Sequence, residues 1–301
     1  MARCRGVLSA LLLTAVLVLP ARADSLLLCG MEEVFEIDPD AVESGRFRKI
    51  WSWRARDRKE LSPDLVRRFG TTDDCKPVNQ GTQILISSSG GGCALVDYPT
   101  GTVRWTAIVP NAHSVELLPR GRIIVAGSVH KDGNRLALFD SSLPDGEALW
   151  STPLSSAHGV VWDEARKSLW ALGMNELRRY SLESWEEATP SLELEATHKV
   201  PDDDGHDLQP VPGSPDLIVT TGRSVFLFDR DRGEFRPHPA LRDRPRVKSV
   251  TVHPATGRTI FVQASEAHWW TDAFQTSDPP ATTPLTGERI YKARWFQHDT
   301  P

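Results

Sequence analysis

Residues 113–140 carry His113-Ser-Val-Glu-Leu-Leu-Pro-Arg-Gly-Arg-Ile-Ile-Val-Ala-Gly127, then Leu136-Ala-Leu-Phe-Asp140. A polar residue opens a short strand, a Pro/Gly turn follows, an apolar strand runs to a second Gly, and a third strand ends in Phe-Asp. The unit returns at His158-Gly-Val-Val-Trp-Asp163 with Ser168-Leu-Trp-Ala-Leu-Gly173 and Leu177-Arg-Arg-Tyr180. It returns again at His206-Asp-Leu-Gln-Pro-Val-Pro-Gly213 with Leu217-Ile-Val-Thr-Thr-Gly222 and Val225-Phe-Leu-Phe-Asp229. A fourth copy is Lys248-Ser-Val-Thr-Val-His-Pro-Ala-Thr-Gly-Arg-Thr-Ile-Phe-Val-Gln263. Lys76-Pro-Val-Asn-Gln-Gly-Thr-Gln-Ile-Leu-Ile86 precedes the set, and Tyr291-Lys-Ala-Arg-Trp-Phe296 follows it.

Taking 76, 113, 158, 206, 248 and 292 as the opening positions gives gaps of 37, 45, 48, 42 and 44 residues. That is the spacing of four-stranded propeller blades, roughly 40–50 residues each. The sixth unit holds one strand, and strands at 26–29, 34–37 and 49–54 are left over at the other end. Three and one make a blade. The sequence therefore predicts an all-β, six-bladed β-propeller, closed by pairing the C-terminal strand with the N-terminal blade, which removes exposed sheet edges. Helix patterns are scarce: one short segment at Glu60–Arg68 and one near Leu182–Glu187.

The wider composition agrees. Of 301 residues, 40% are hydrophobic and 25% charged, with 22 Pro, 21 Gly and ten Trp, which suits a turn-rich β domain and excludes wholesale disorder. A formal charge of −5 argues against nucleic-acid binding through bulk basicity. Residues 1–23 read as a secretory signal peptide: Arg3 and Arg5, an apolar run Val7–Leu19, and Ala21-Arg22-Ala23 before the expected cut. Removing three arginines and no acid takes the charge from −5 to −8. The expected product is one propeller domain over 24–301, exported to the periplasm or beyond, with no stable membrane span. Oligomeric state is open. Cys29, Cys75 and Cys93 remain, so at most one intrachain disulfide forms, its pairing unassigned.

A propeller's innermost strands line a central channel, so residues opening them meet at one mouth. The repeat thus predicts a ring of Lys76, His113, His158, His206, Lys248 and Lys292, with Arg294 alongside. Burying several ammonium groups together is unfavourable unless anions sit among them. Asp74, Glu116, Asp163 and Asp207 are the near candidates. Two chemistries fit. His113, His158 and His206 with a carboxylate would hold a divalent transition metal. Otherwise the Lys/His set binds a small anionic or carbohydrate ligand directly. His158, His206 or Lys248 would then be the candidate base for lyase or hydrolase chemistry on acidic sugars. Trp51, Trp53, Trp162, Trp269, Trp270 and Trp295 are candidate sugar platforms, Trp53 better explained by packing. A protein-interaction scaffold, with a passive ring, is the third reading. Ser87-Ser-Ser-Gly-Gly-Gly-Cys93 reads as a hairpin turn and Asp202–Asp207 as an acidic turn.

Asn111-Ala-His-Ser-Val-Glu116, His158-Gly-Val-Val-Trp-Asp163, Gly205-His-Asp-Leu208, Val247-Lys-Ser249 and Tyr291-Lys-Ala-Arg-Trp295, with Leu28-Cys-Gly30 and Cys75-Lys-Pro-Val78, together resemble an uncharacterised bacterial family of exported propeller-like proteins. The resemblance implies the fold and brings no activity. At fold level the chain is also similar to WD40-like and quinoprotein-like propellers and to polysaccharide lyases with His-lined channels, by analogy only.

Overall fold

The computed structural model describes residues 24–143 and 146–298. The signal-peptide reading of 1–23 lies outside the described residues. Six four-stranded antiparallel sheets form the predicted propeller. Blade 1 runs outward from Lys292–Phe296 through Ser25–Gly30 and Glu33–Ile37 to Lys49–Trp53. Blades 2 to 6 follow in chain order, with inner strands Thr72–Val78, Ala112–Leu118, Gly159–Asp163, Asp207–Pro210 and Val247–Val252. The ring closes in register Leu26↔Trp295 and Leu28↔Ala293, as the strand count requires.

Each second strand is buried on both faces, which explains its unbroken apolar run. Alternate residues face opposite neighbours. In Arg122–Gly127, Ile124 and Ala126 pack towards blade 4, while Ile123 and Val125 pack towards blade 2. The core is therefore six apolar clusters, one at each blade interface. The inner strands approach closely: a Cβ at Gly159 would lie 2.6 Å from that of Leu208 in blade 5. Side chains also link inner strands across blades, as where Ala293 N–H donates to Ser249 Oγ at 3.0 Å and Trp295 N–H to Thr251 Oγ1 at 3.1 Å.

The Glu60–Arg68 segment forms a short helix, Pro63–Arg67, capped by Ser62, whose hydroxyl accepts from Leu65 N–H. The second helix expectation fails: Leu182 ends the strand Glu176–Glu183, and a turn follows. Trp185 from that turn is buried, with Arg122 over its indole, so tertiary packing took the segment. Ser87–Cys93 is the hairpin turn expected. Among the described residues, no helix is long and apolar enough to cross a membrane.

Candidate site at the channel mouth

The six inner strands deliver Asp73, His113, His158, His206, Lys248 and Tyr291 to one mouth of the channel. These line a pocket of about 310 Å³ together with Ser89, Asn111 and Trp269. Backbone pairing shows that the six are equivalent. Each directly precedes a residue paired with the end of the second strand: Asp74↔Ser87, Ser114↔Ala126, Gly159↔Leu172, Asp207↔Thr220, Ser249↔Val262 and Lys292↔Cys29. Asp73, His113 and Lys248 are the unpaired residues of bulges. His158, His206 and Tyr291 donate their N–H to the second-strand carbonyls of Leu172, Thr220 and Cys29.

Four of the six expected ring positions needed no change: His113, His158, His206 and Lys248. Two are corrected. Lys292 sits one residue past the ring position, which is Tyr291. Lys76 sits three residues past it, and blade 2 contributes Asp73, an acid. The sequence matched these positions by residue type rather than by phase. The signal that finds them is the polar-or-small then apolar pair after each ring residue: Asp74-Cys75, Ser114-Val115, Gly159-Val160, Asp207-Leu208, Ser249-Val250 and Lys292-Ala293. Aligned on that pair, the gaps become 40, 45, 48, 42 and 43, more even than before.

The imidazoles are held in one tautomer. Nδ1 of His113, His158 and His206 lies 3.0, 2.8 and 2.6 Å from the carbonyls of Asn111, Ser156 and Asp204, each two residues upstream. A carbonyl only accepts, so Nδ1 carries the hydrogen and Nε2 is left as the basic nitrogen. Asn111, Ser156 and Asp204 all have positive φ, as does Arg246 two residues before Lys248. Left-handed backbone at a non-glycine residue costs on the order of 1 kcal/mol. In the three histidine blades it directs the carbonyls at the Nδ1 atoms and so aims the rings.

The rings stand side by side, His113 to His158 at 4.3 Å and His158 to His206 at 5.0 Å between centroids. Lys248 Nζ donates to Nε2 of His206 at 2.6 Å. His113 Nε2 is 3.5 Å from Asp73 Oδ1. Burial, reinforced by neighbouring positive charge, holds His158 well below the usual imidazole range and takes His206 down to about 3. Burial lowers Lys248 to about 8, helped by Lys292 and Arg246 and opposed by Asp204. Burial raises the Asp73 carboxyl and carries the Tyr291 phenol well above its usual range. Among the described residues no group of three or more His, Cys, Asp or Glu is gathered to hold a metal ion. The three imidazoles flank one another rather than converging, so the residues do not fit the expected metal centre.

Beneath the ring lies a buried ionic plug. Arg294 donates to Asp207 at 2.7 and 3.0 Å and to Asp74 at 2.8 Å. Lys292, fully buried, has Nζ 3.2 Å from Asp207 Oδ1 and 3.9 Å from Asp74 Oδ2. Lys76 reaches across to the Val160 carbonyl of blade 4 and pairs with Glu116 at 3.0 Å. Burial alone would raise the Asp74 carboxyl, but Arg294, Lys292 and Lys76 hold it well below the usual range. Three cations meet three acids across the channel. Asp74, Glu116 and Asp207 are thus the counter-ions expected. Asp163 is not: it sits at the other end of its strand with Arg166 and Arg230.

Of the tryptophans, only Trp269 joins the pocket. It is 41% exposed and meets Tyr291 edge to face, with centroids 5.6 Å apart. Trp270 stacks on His268 at 4.5 Å beneath Arg289. Trp53 and Trp295 are buried, Trp51 packs on Tyr98 at the outer edge of blade 1, and Trp162 lines a groove at the far ends of blades 2 to 4. In the Asp202–Asp207 turn, Asp202 pairs with Arg223 and accepts from Thr221.

A closed six-bladed propeller with a polar, plugged channel defines the class of protein. The chain belongs to the family described as "Family of unknown function (DUF6528)", whose model matches residues 40–301. No curated protein matches the chain. It is similar in fold to a solved chain titled "Crystal structure of Nidogen/Laminin Complex", at 12% identity, covering 92% of this chain and 100% of that one, with a TM-score of 0.60.

Proposed function

We propose that this is an exported propeller whose channel mouth binds a small anionic ligand. The observation that carries the reading is Lys248. Its residue is 8% exposed, its value of about 8 leaves the ammonium charged at neutral pH, and the acid that acts on it, Asp204, makes no ion pair with it within 4 Å. A buried cation whose only side-chain partner is a neutral imidazole is costly, and a ligand anion supplies the missing charge. The ring offers the remaining contacts: the Nε2 atoms of His113 and His158 accept from ligand hydroxyls, and the Tyr291 hydroxyl and Lys248 donate to the anion. Export rests on the Arg3/Arg5 and Val7–Leu19 pattern.

Calorimetric titration of the purified protein with glucuronate, galacturonate, sulfate and phosphate tests this reading. Saturable binding lost in both His158→Ala and Lys248→Met is expected. Binding of none of these anions, or binding unchanged in both variants, overturns it.

A second reading has its own support. Neutral imidazoles beside a protonated phenol form an acid–base set, the arrangement that proton abstraction next to a carboxylate requires. In a β-elimination, an imidazole Nε2 takes the proton α to the carboxylate. The C–O bond at the β position breaks, and the leaving oxygen takes a proton from Tyr291. Appearance of a conjugated unsaturated acid from a uronide would establish turnover.

A further inference from the structure

We infer that the ligand is a single sugar-acid unit, presented as a free monosaccharide or as the end of a chain. This deepens the anion-binding reading above and rests on it. Two observations beyond Lys248 carry it.

The first is Trp269. A large aromatic side chain left 41% exposed at the edge of an otherwise polar pocket leaves a flat apolar surface in water. It belongs to blade 6, the blade that supplies Lys248, and Tyr291 edge-on supports it at 5.6 Å. A simple inorganic anion has no use for such a surface. A pyranose does: it has an apolar C–H face, a rim of hydroxyls and, in a uronic acid, one carboxylate. Stacking its face on Trp269 brings its rim to the Nε2 atoms of His113 and His158 and its carboxylate to Lys248.

The second is the plug. Directly under the ring, Lys292 and Arg294 with Asp74 and Asp207 close the channel with buried, paired charges. Removing any one would strand a buried charge, so the plug does not open. The pocket is a blind well. Its volume of about 310 Å³ is at the small end of the roughly 300–1,000 Å³ of ordinary ligand sites. A polymer cannot thread it, and the space holds one sugar unit at a time.

Calorimetry on the full protein separates the alternatives, with glucuronate, glucose, acetate, phosphate and a polyuronate, before and after the polymer is cut into short oligomers. Glucuronate is expected to bind about tenfold more tightly than glucose, acetate or phosphate, and Trp269→Ala to remove that advantage while Trp269→Phe largely restores it. Per unit mass, cut polyuronate should bind far more than uncut, in proportion to its ends. If phosphate or acetate binds as well as glucuronate, His158-dependently and indifferent to Trp269→Ala, the sugar-acid inference falls and the anion pocket stands. If uncut polymer binds as well per unit mass as the oligomers, the end-only inference falls. If no anion binds in a Lys248-dependent way, both readings fall. Trp269 is a surface residue, so its variants test recognition rather than folding.

Discussion

Lys248 Nζ lies 2.6 Å from Nε2 of His206, whose Nδ1 hydrogen is already given to the carbonyl of Asp204. The imidazole therefore has one role left, as acceptor, and the ammonium meets a neutral partner. A protonated His206 would place two cations in contact, which with burial is why its titration is driven down to about 3. The pair orients Lys248 without neutralising it.

Lys248→Met is expected to stabilise the unliganded fold by about 1–2 kcal/mol, because a buried charge with no ion-pair partner within 4 Å, only partly offset by Asp204, is replaced by an apolar chain of similar length. The same variant should lose anion binding. Urea denaturation with and without ligand checks both. A marked loss of stability would instead make Lys248 a structural residue.

Ligand affinity should be flat towards neutral pH and fall as pH rises through about 8, where Lys248 loses its proton. The charges around it are Asp204, Lys292 and Arg246, with His206 neutral throughout this range. Titrations between neutral pH and a clearly alkaline pH read this directly. Unchanged affinity across that window would remove Lys248 from the binding reading.

Stability should fall on acidification. His158 and His206 have lowered values in the fold, so below the ordinary value near 6.5 the unfolded chain binds protons that the folded one refuses. Each group contributes a slope of up to about 1.4 kcal/mol per pH unit, for His206 from about 6.5 down to about 3. In the variant His158→Gln with His206→Gln, denaturation midpoints should lose much of their dependence on pH in this window.

Arg294→Met should destabilise by about 3–5 kcal/mol, because Asp74 and Asp207 would stay buried with their strongest partner gone. Lys76→Met should cost less, since Glu116 is nearer solvent. Equal effects would mean that the plug has no dominant member.

The three cysteines of the described residues, Cys29, Cys75 and Cys93, are fully buried, and burial raises the Cys29 and Cys93 thiols. A protein made without residues 1–23 should leave a thiol reagent unconsumed when native and titrate three thiols when denatured. Cys29 and Cys75 are hydrogen-bonded neighbours, so a count of one would locate a bridge between them.

Blade number, ring closure and four ring residues were legible because each rests on a repeated pattern. Apolar second strands recur, since each must fill two interfaces, and His113, His158, His206 and Lys248 precede them at constant phase. Asp73 was missed because Thr71-Thr-Asp-Asp-Cys75 has the composition of a turn, and the bulge that makes it a strand residue is set by the neighbouring strand. Tyr291 was passed over for the charged residue beside it. The sorting of lysines into one ligand-facing and two plug members has no local signature, since it depends on which acids stand across the channel. The left-handed residues two places upstream are Asn, Ser, Asp and Arg, with no shared identity to read.

The strand Lys292–Phe296 has a consequence for how the molecule comes into being. It follows Tyr291, completes blade 1 and carries Lys292 and Arg294. A chain synthesised N-terminus first presents Asp74 and Asp207 long before Lys292 and Arg294 arrive. Until then Asp207 stands at the axis without its cations, Asp74 has only Lys76, and a seam is open beside blade 1. Completion of the charged plug and sealing of the toroid are thus a single late event, and a chain interrupted before Lys292 is left as an unsealed arc with Asp207 unpaired.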